Sequence, residues 1–275
     1  MAEKPGERIA DRKGEAEIGL TCVPVHPHHA KHILQILQLR CYRLRQHDGM
    51  NRMTELDIKI CGLSTRETVD VSIARGASHI GFVSFEKSPR HVEIEQMAEL
   101  ARHVDGRAKT VVVTVDPEDG EIDRLVTEVA PDWLQLHGRE SPERVLAIKS
   151  ATGLSVMKAL PVADVDDLDR IAPYLGIADR ILLDSKRPKG SNLPGGNGVS
   201  FDWRLLAALD RTVPFMLSGG LDADNVEDAV RIARPSGLDI SSGVESAPGI
   251  KDVGRLQRFF DALDRIGEDE LQGDL

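Results

Sequence analysis

Residues 133–160 read WLQLHGRESPERVLAIKSATGLSVMKAL and hold the repeat unit from which the fold follows. A short apolar run at 133–137 is followed by a charged amphipathic stretch at 142–151, then by a second apolar run at 155–160. Outward from this segment the alternation occurs eight times. Strands are predicted at 56–60, 79–85, 109–115, 133–137, 155–160, 180–183, 214–218 and 238–241. Helices are predicted at 65–75, 94–103, 120–129, 142–151, 165–174, 203–209, 223–233 and 253–263. Strands alternating with helices of this length pair in parallel through right-handed crossovers. Eight units in roughly 210 residues is the count of a compact (β/α)8 TIM barrel. The alternative, a doubly wound open sheet, would carry a G-x-G-x-x-G turn after its first strand, and this chain has none.

The barrel is expected to span 53–266, with an irregular N-terminal extension at 1–52 and an acidic tail at 267–275 that frays. The extension holds nine Lys/Arg against six Asp/Glu, about +3, leaving about −13 of the net −10 for the rest. Its opening is aperiodic, residues 30–46 suit one amphipathic helix, and Met53 is a candidate start just before the first strand. Cys22, His26, His28, His29 and His32 are ligand types, but a solvated His-rich tail is the ordinary reading, so no metal is expected. The acidic balance argues against nucleic-acid binding, and the absence of an 18-residue apolar run against a membrane span. Three cysteines make neither a disulfide framework nor a zinc quartet, which fits a cytoplasmic protein.

In such a barrel the chemistry lies at the C-terminal ends of the strands. Side chains alternate, so Asp57, Lys59 and Cys61 share one face and Ile58 and Ile60 the other. The isoleucines suit the helix layer, which turns Asp57, Lys59 and Cys61 inward. Gln135 and His137 share a face in the same way, and Asp184 and Asp239 end two further strands. Packing is the ordinary role of a cysteine, but a nearby Lys59 cation would raise the thiolate fraction of Cys61. Asp184 follows Ile181-Leu182-Leu183, so its carboxyl is expected at the rim in a partly apolar setting, suited to a general acid. His137 reads either as an acid–base or as a structural hydrogen-bonding group.

Glycine-rich turns at 195–198 and 218–220, with Ser241-Ser242-Gly243 after the last strand, offer backbone N–H groups to an anion. Barrels commonly hold phosphate with the loops after strands 7 and 8. Gly196, Gly198, Gly219, Gly220, Ser242 and Gly243 are therefore the candidate phosphate cradle. Arg90, braced by Pro89 in the loop after strand 2, is a candidate fork for a substrate carboxylate.

Several segments recur in order in one family: 59–62 (KICG), 88–90 (SPR), 134–138 (LQLHG), 182–184 (LLD), 195–198 (GGNG), 218–221 (SGGL) and 239–245 (DISSGVE). Over about 55–265 the chain resembles the phosphoribosylanthranilate isomerases of tryptophan biosynthesis. The resemblance implies an Amadori rearrangement of N-(5-phosphoribosyl)anthranilate to the 1-deoxyribulose 5-phosphate. It implies Asp184 as general acid and Cys61 as general base. It further implies Arg90 on the anthranilate carboxylate, with Gln135, His137 and Asp239 on the substrate. Asn197 stands where the family usually carries threonine, so that loop offers backbone donors without a hydroxyl. No metal or cofactor is required, because the iminium nitrogen serves as electron sink and the reaction is an internal hydrogen shift. A monomer acting on a phosphorylated sugar–anthranilate is expected, a homodimer being the alternative. Among rival readings, an epimerase would need a His/Asp metal cluster at the mouth, and a synthase of the indole-glycerol-phosphate type a Lys/Glu pair. Lys158 lacks a strand-end glutamate to answer it. A non-catalytic phosphometabolite binder would have lost the acid or the base.

Overall fold

The computed structural model describes residues 56–186, 200–210 and 212–273, with side chains to residue 266. The N-terminal extension, with its candidate helix and His-rich run, and the 195–198 turn lie outside the described residues. Eight strands form a closed parallel barrel in chain order: β1 Asp57–Cys61, β2 His79–Ser84, β3 Lys109–Thr114, β4 Trp133–Leu136, β5 Ser155–Val162, β6 Arg180–Ser185, β7 Phe215–Leu217 and β8 Gly237–Ile240. Closure pairs β8 with β1, setting Lys59 opposite Asp239 and Asp57 opposite Gly237.

The alternation places the side chains as expected. Ile58, Ile60, Ile80, Phe82, Leu134, Leu136 and Leu183 are buried in the layer between barrel and helices. Met157, Ala159, Leu182 and Met216 fill the barrel's interior beneath Trp133's edge, while Cys61, Val83 and Val113 pack together nearer the mouth. Gly81 leaves room for a long charged side chain inside the wall, since a Cβ there would stand 3.1 Å from Lys59 Cε.

The helices are α1 Arg66–Ala74, α2 Ile94–Val104, α3 Asp119–Arg124, α4 Pro142–Thr152, α5 Val226–Ala233 and α6 Val253–Gly273. Local signals explain their ends. Ser141 accepts from the Arg144 amide at the start of α4, Pro142 occupies the first turn, and Gly153 closes the helix in the left-handed region. After β5 the expected helix at 165–174 is instead two 3₁₀ pieces, Val165–Arg170 and Ala172–Tyr174. Pro173 has no N–H to continue an α-helix, and Asp167 turns its carboxylate to the Ala163 amide and Lys186. The segment after β6 is likewise a 3₁₀ turn, Trp203–Ala208. The acidic residues expected to fray continue α6 to Gly273: Glu, Leu and Gln are good helix formers, and extending an anchored helix requires no new nucleus. Between β8 and α6 an unpredicted hairpin forms, β9 Glu245–Ala247 and β10 Ile250–Lys251. Among the described residues no helix is long and apolar enough to cross a membrane.

Candidate active site

The strand ends converge on one cavity. Cys61 at the end of β1, Arg90 beyond β2, His137 beyond β4, Asp184 in β6, Gly219 and Gly220 beyond β7, and Asp239 and Ser242 at β8 all line it. Apolar walls from Val83, Phe85 and Val113 separate the polar groups.

Gln135 does not reach the wall. It is fully buried one layer below, with Nε2 at 2.9 Å from His137 Nδ1. On the other side of the ring, His137 Nε2 lies 3.2 Å from Asp184 Oδ2. Gln135, expected as a substrate contact, is thus absent from the cavity lining and instead meets His137, which in turn meets Asp184. Asp184 also departs from the expected rim position in a partly apolar setting. It is 3% exposed, and its second oxygen accepts from the Ser185 amide at 2.9 Å.

Lys59 lies beside Cys61 as the alternation required, but its ammonium is engaged by Asp239, Nζ to Oδ1 2.7 Å, both side chains being buried. Burial opposes that charge, yet Asp239 and Cys61 outweigh it and hold the lysine above its ordinary pKa. For Cys61, burial pushes the thiol above its usual value; Lys59 and Lys251 pull it down, and Asp239 pushes it further up. The expected gain in thiolate from Lys59 is thus overridden by desolvation in the free protein.

Arg90 is buried against Glu245 in a two-pronged pair, Nε to Oε1 2.7 Å and Nη2 to Oε2 2.8 Å. Glu245 closes the matched segment 239–245, yet nothing local marks it as a partner of a residue 155 positions earlier. On the opposite side, Gly219 (φ +95°) brings its backbone so close to β6 that a Cβ would stand 2.6 Å from the Ser185 nitrogen. Gly243 lies behind Ser242, where a Cβ would run into the carbonyl of Leu221, so the loops after β7 and β8 interlock.

The Lys/Glu pair wanted by a synthase does exist, contrary to expectation, but on the outer side of the wall. Lys158 Nζ meets Glu140 Oε2 at 2.8 Å and the carbonyls of Leu136 and Gly138, with both side chains 1% exposed, and neither residue lines the cavity described above.

A closed eight-stranded barrel with a thiol, a carboxyl and a braced arginine around one mouth is the architecture of a (β/α)8-barrel enzyme. The family model described as N-(5'-phosphoribosyl)anthranilate (PRA) isomerase matches residues 58–262, and the chain belongs to that family. It is 58% identical over 209 residues to the N-(5'-phosphoribosyl)anthranilate isomerase of Sinorhizobium medicae, covering 76% of this chain and 97% of that protein. The crystal structure of phosphoribosyl anthranilate isomerase from Thermotoga maritima matches with a TM-score of 0.69 at 32% identity, over 76% of this chain and 99% of that one. A phosphoribosyl anthranilate isomerase in complex with reduced 1-(o-carboxyphenylamino)-1-deoxyribulose 5-phosphate matches with a TM-score of 0.67 at 31% identity, over 76% and 99%.

Proposed function

We propose that the chain converts N-(5-phospho-β-D-ribosyl)anthranilate to 1-(2-carboxyphenylamino)-1-deoxy-D-ribulose 5-phosphate, an Amadori rearrangement in tryptophan biosynthesis. The observation that carries this reading is the sharing of one cavity by Cys61, Asp184, Arg90 and the turns at Gly219-Gly220 and Ser242. Asp184 gives a proton to the furanose ring oxygen; the C1′–O bond breaks and the nitrogen lone pair forms an iminium. The Cys61 thiolate takes the C2′ proton, and the electron pair moves to the iminium nitrogen, leaving an enolamine. Ketonisation then places a proton on C1′ and releases that of O2′. No atom is gained or lost overall, so the balance requires no redox partner.

The backbone N–H groups around Gly219, Gly220, Ser242 and Gly243, together with those of Gly196 and Gly198, serve the phosphate. Arg90 faces the anthranilate carboxylate, with Glu245 holding its guanidinium edge-on. Asp239 lines the sugar region, and His137 steadies the Asp184 carboxyl. Because Cys61 is raised above its usual pKa, kcat/KM is expected to climb with pH through the neutral range. The test is loss of substrate fluorescence when purified protein meets freshly made phosphoribosylanthranilate, with the isomeric product isolated at unchanged mass. Persistent fluorescence under saturating protein would overturn the reading.

A further inference from the structure

Beside the mouth lies a buried cluster that the proton transfers leave unused. Lys251, on β10, is 1% exposed at its side chain. Its three ammonium protons are matched by three acceptors: Glu245 Oε1 at 2.7 Å, the Ser241 carbonyl at 2.9 Å and Ser241 Oγ at 3.2 Å. Glu245 in turn holds both prongs of Arg90, and Ser241 Oγ donates to the Cys61 carbonyl at 3.1 Å. An unbroken chain of polar contacts therefore joins the carboxylate fork to the backbone of the base. The hairpin bearing Lys251 also abuts the loop bearing Arg90, since a Cβ at Gly249 would strike the Pro89 carbonyl.

We infer that Lys251 is a positioning residue: by gripping Glu245 and Ser241 together it sets the Arg90 guanidinium and Cys61 at a fixed spacing. The inference rests on the roles proposed above for those two residues. Taking an ammonium out of water is costly, and well-packed apolar side chains of similar volume often replace buried ion pairs without loss of stability. Stability alone therefore does not account for a lysine here, whereas spacing does, because small misplacements of reacting groups cost large factors in rate. The arrangement is electrostatic as well. The charged groups facing Cys61 are Lys59 from β1, Asp239 from β8 and Lys251 from β10; those facing Lys251 are Glu245, Arg90 and Cys61. Removing the Lys251 charge takes away one of the two cations that favour the thiolate.

The test uses the full chain and two separate readouts. The first is iodoacetamide alkylation of Cys61 from about pH 6 to 10, followed by mass spectrometry of its peptide, which needs no substrate. In Lys251→Met the alkylation rate at neutral pH is expected to fall ~3–10-fold as the thiol midpoint rises. Lys251→Arg, which keeps the charge, is expected to return the midpoint to that of the parent. The second readout is turnover, where Lys251→Met is expected to raise KM by ~10-fold and move the acid limb of kcat/KM upward. A folded Lys251→Met protein with parental alkylation and KM overturns the inference. Parental protein that fails to turn over while the alkylation shifts appear overturns the substrate reading instead. Should Lys251→Met not fold, the isosteric Glu245→Gln is expected to raise KM at least ~5-fold with little change in kcat, and an unchanged KM overturns the proposal equally.

Discussion

Two buried lysine–glutamate pairs, Lys158–Glu140 and Lys251–Glu245, are closely alike in length and enclosure, at 2.8 and 2.7 Å with lysine side chains 1% exposed. In both, burial drives the lysine below its ordinary pKa and the glutamate draws it back. They differ in what their remaining hydrogen-bonding capacity reaches. Around Lys158 it ends in main chain: the carbonyls of Leu136 and Gly138, and the amides of Asp116 and Gly138 on Glu140. Around Lys251 it ends in Arg90 and, through Ser241, at Cys61. An ion pair of one chemistry thus secures a loop in one place and borders the proposed reaction site in the other, and its neighbours settle which.

The contrast is sharpened most strongly at the mouth itself. Cys61→Ser and Asp184→Asn should each lower kcat/KM at least ~100-fold with the melting temperature nearly unchanged, since general acid–base groups contribute about 10²–10⁴-fold. Near-normal turnover in either variant removes its role. The outer pair should answer in the opposite currency. Glu140→Ala strands a buried ammonium and is expected to cost about 3–5 kcal/mol in denaturant unfolding, and a loss under ~1 kcal/mol would show that Lys158 finds other solvation.

A smaller, pH-dependent effect is expected from His79, which stands edge-on to Trp133 at the opposite end of the barrel. Burial lowers its pKa from 6.5 to about 4, against the pull of Asp57. A folded-state value below the unfolded one means that its contribution is complete above pH 6.5 and drains away as pH falls towards about 4. The loss amounts to roughly 3 kcal/mol at most. Unfolding measured across that window in His79→Gln should lose this part of the slope; an unaltered slope would assign it to the carboxylates. The smallest effect is expected from shortening the chain to begin at Met53, which should leave kcat/KM and the unfolding midpoint unchanged.

What the sequence makes legible follows the local periodicities. Period-two alternation is enough to turn Lys59, Cys61, His137 and Asp184 inward, because burial of Ile58, Leu136 and Leu183 leaves no other register. It cannot show which inward residues pair. That Lys59 is committed to Asp239 depends on closure of β8 onto β1, and that Arg90 is held by Glu245 depends on a hairpin of five strand residues that resembles an ordinary turn in sequence. The stretch 165–174 misleads for the reverse reason: its helical composition is real, but Pro173 and the Asp167 contacts to Ala163 and Lys186 override it. Burial is the third gap, since the Cys61 thiol responds to the volume of protein around it as well as to the cation beside it.

The reach of the β9–β10 hairpin bears on how the protein is made. A ribosome delivers Cys61 and Arg90 well before Glu245, Lys251 and the Gly249 turn that seats against Pro89, Arg90 and Glu245 lying 155 positions apart. A nascent chain therefore carries the proposed base and fork long before Ser241 and Glu245 can hold them, and is expected to stay idle until the β9–β10 hairpin docks.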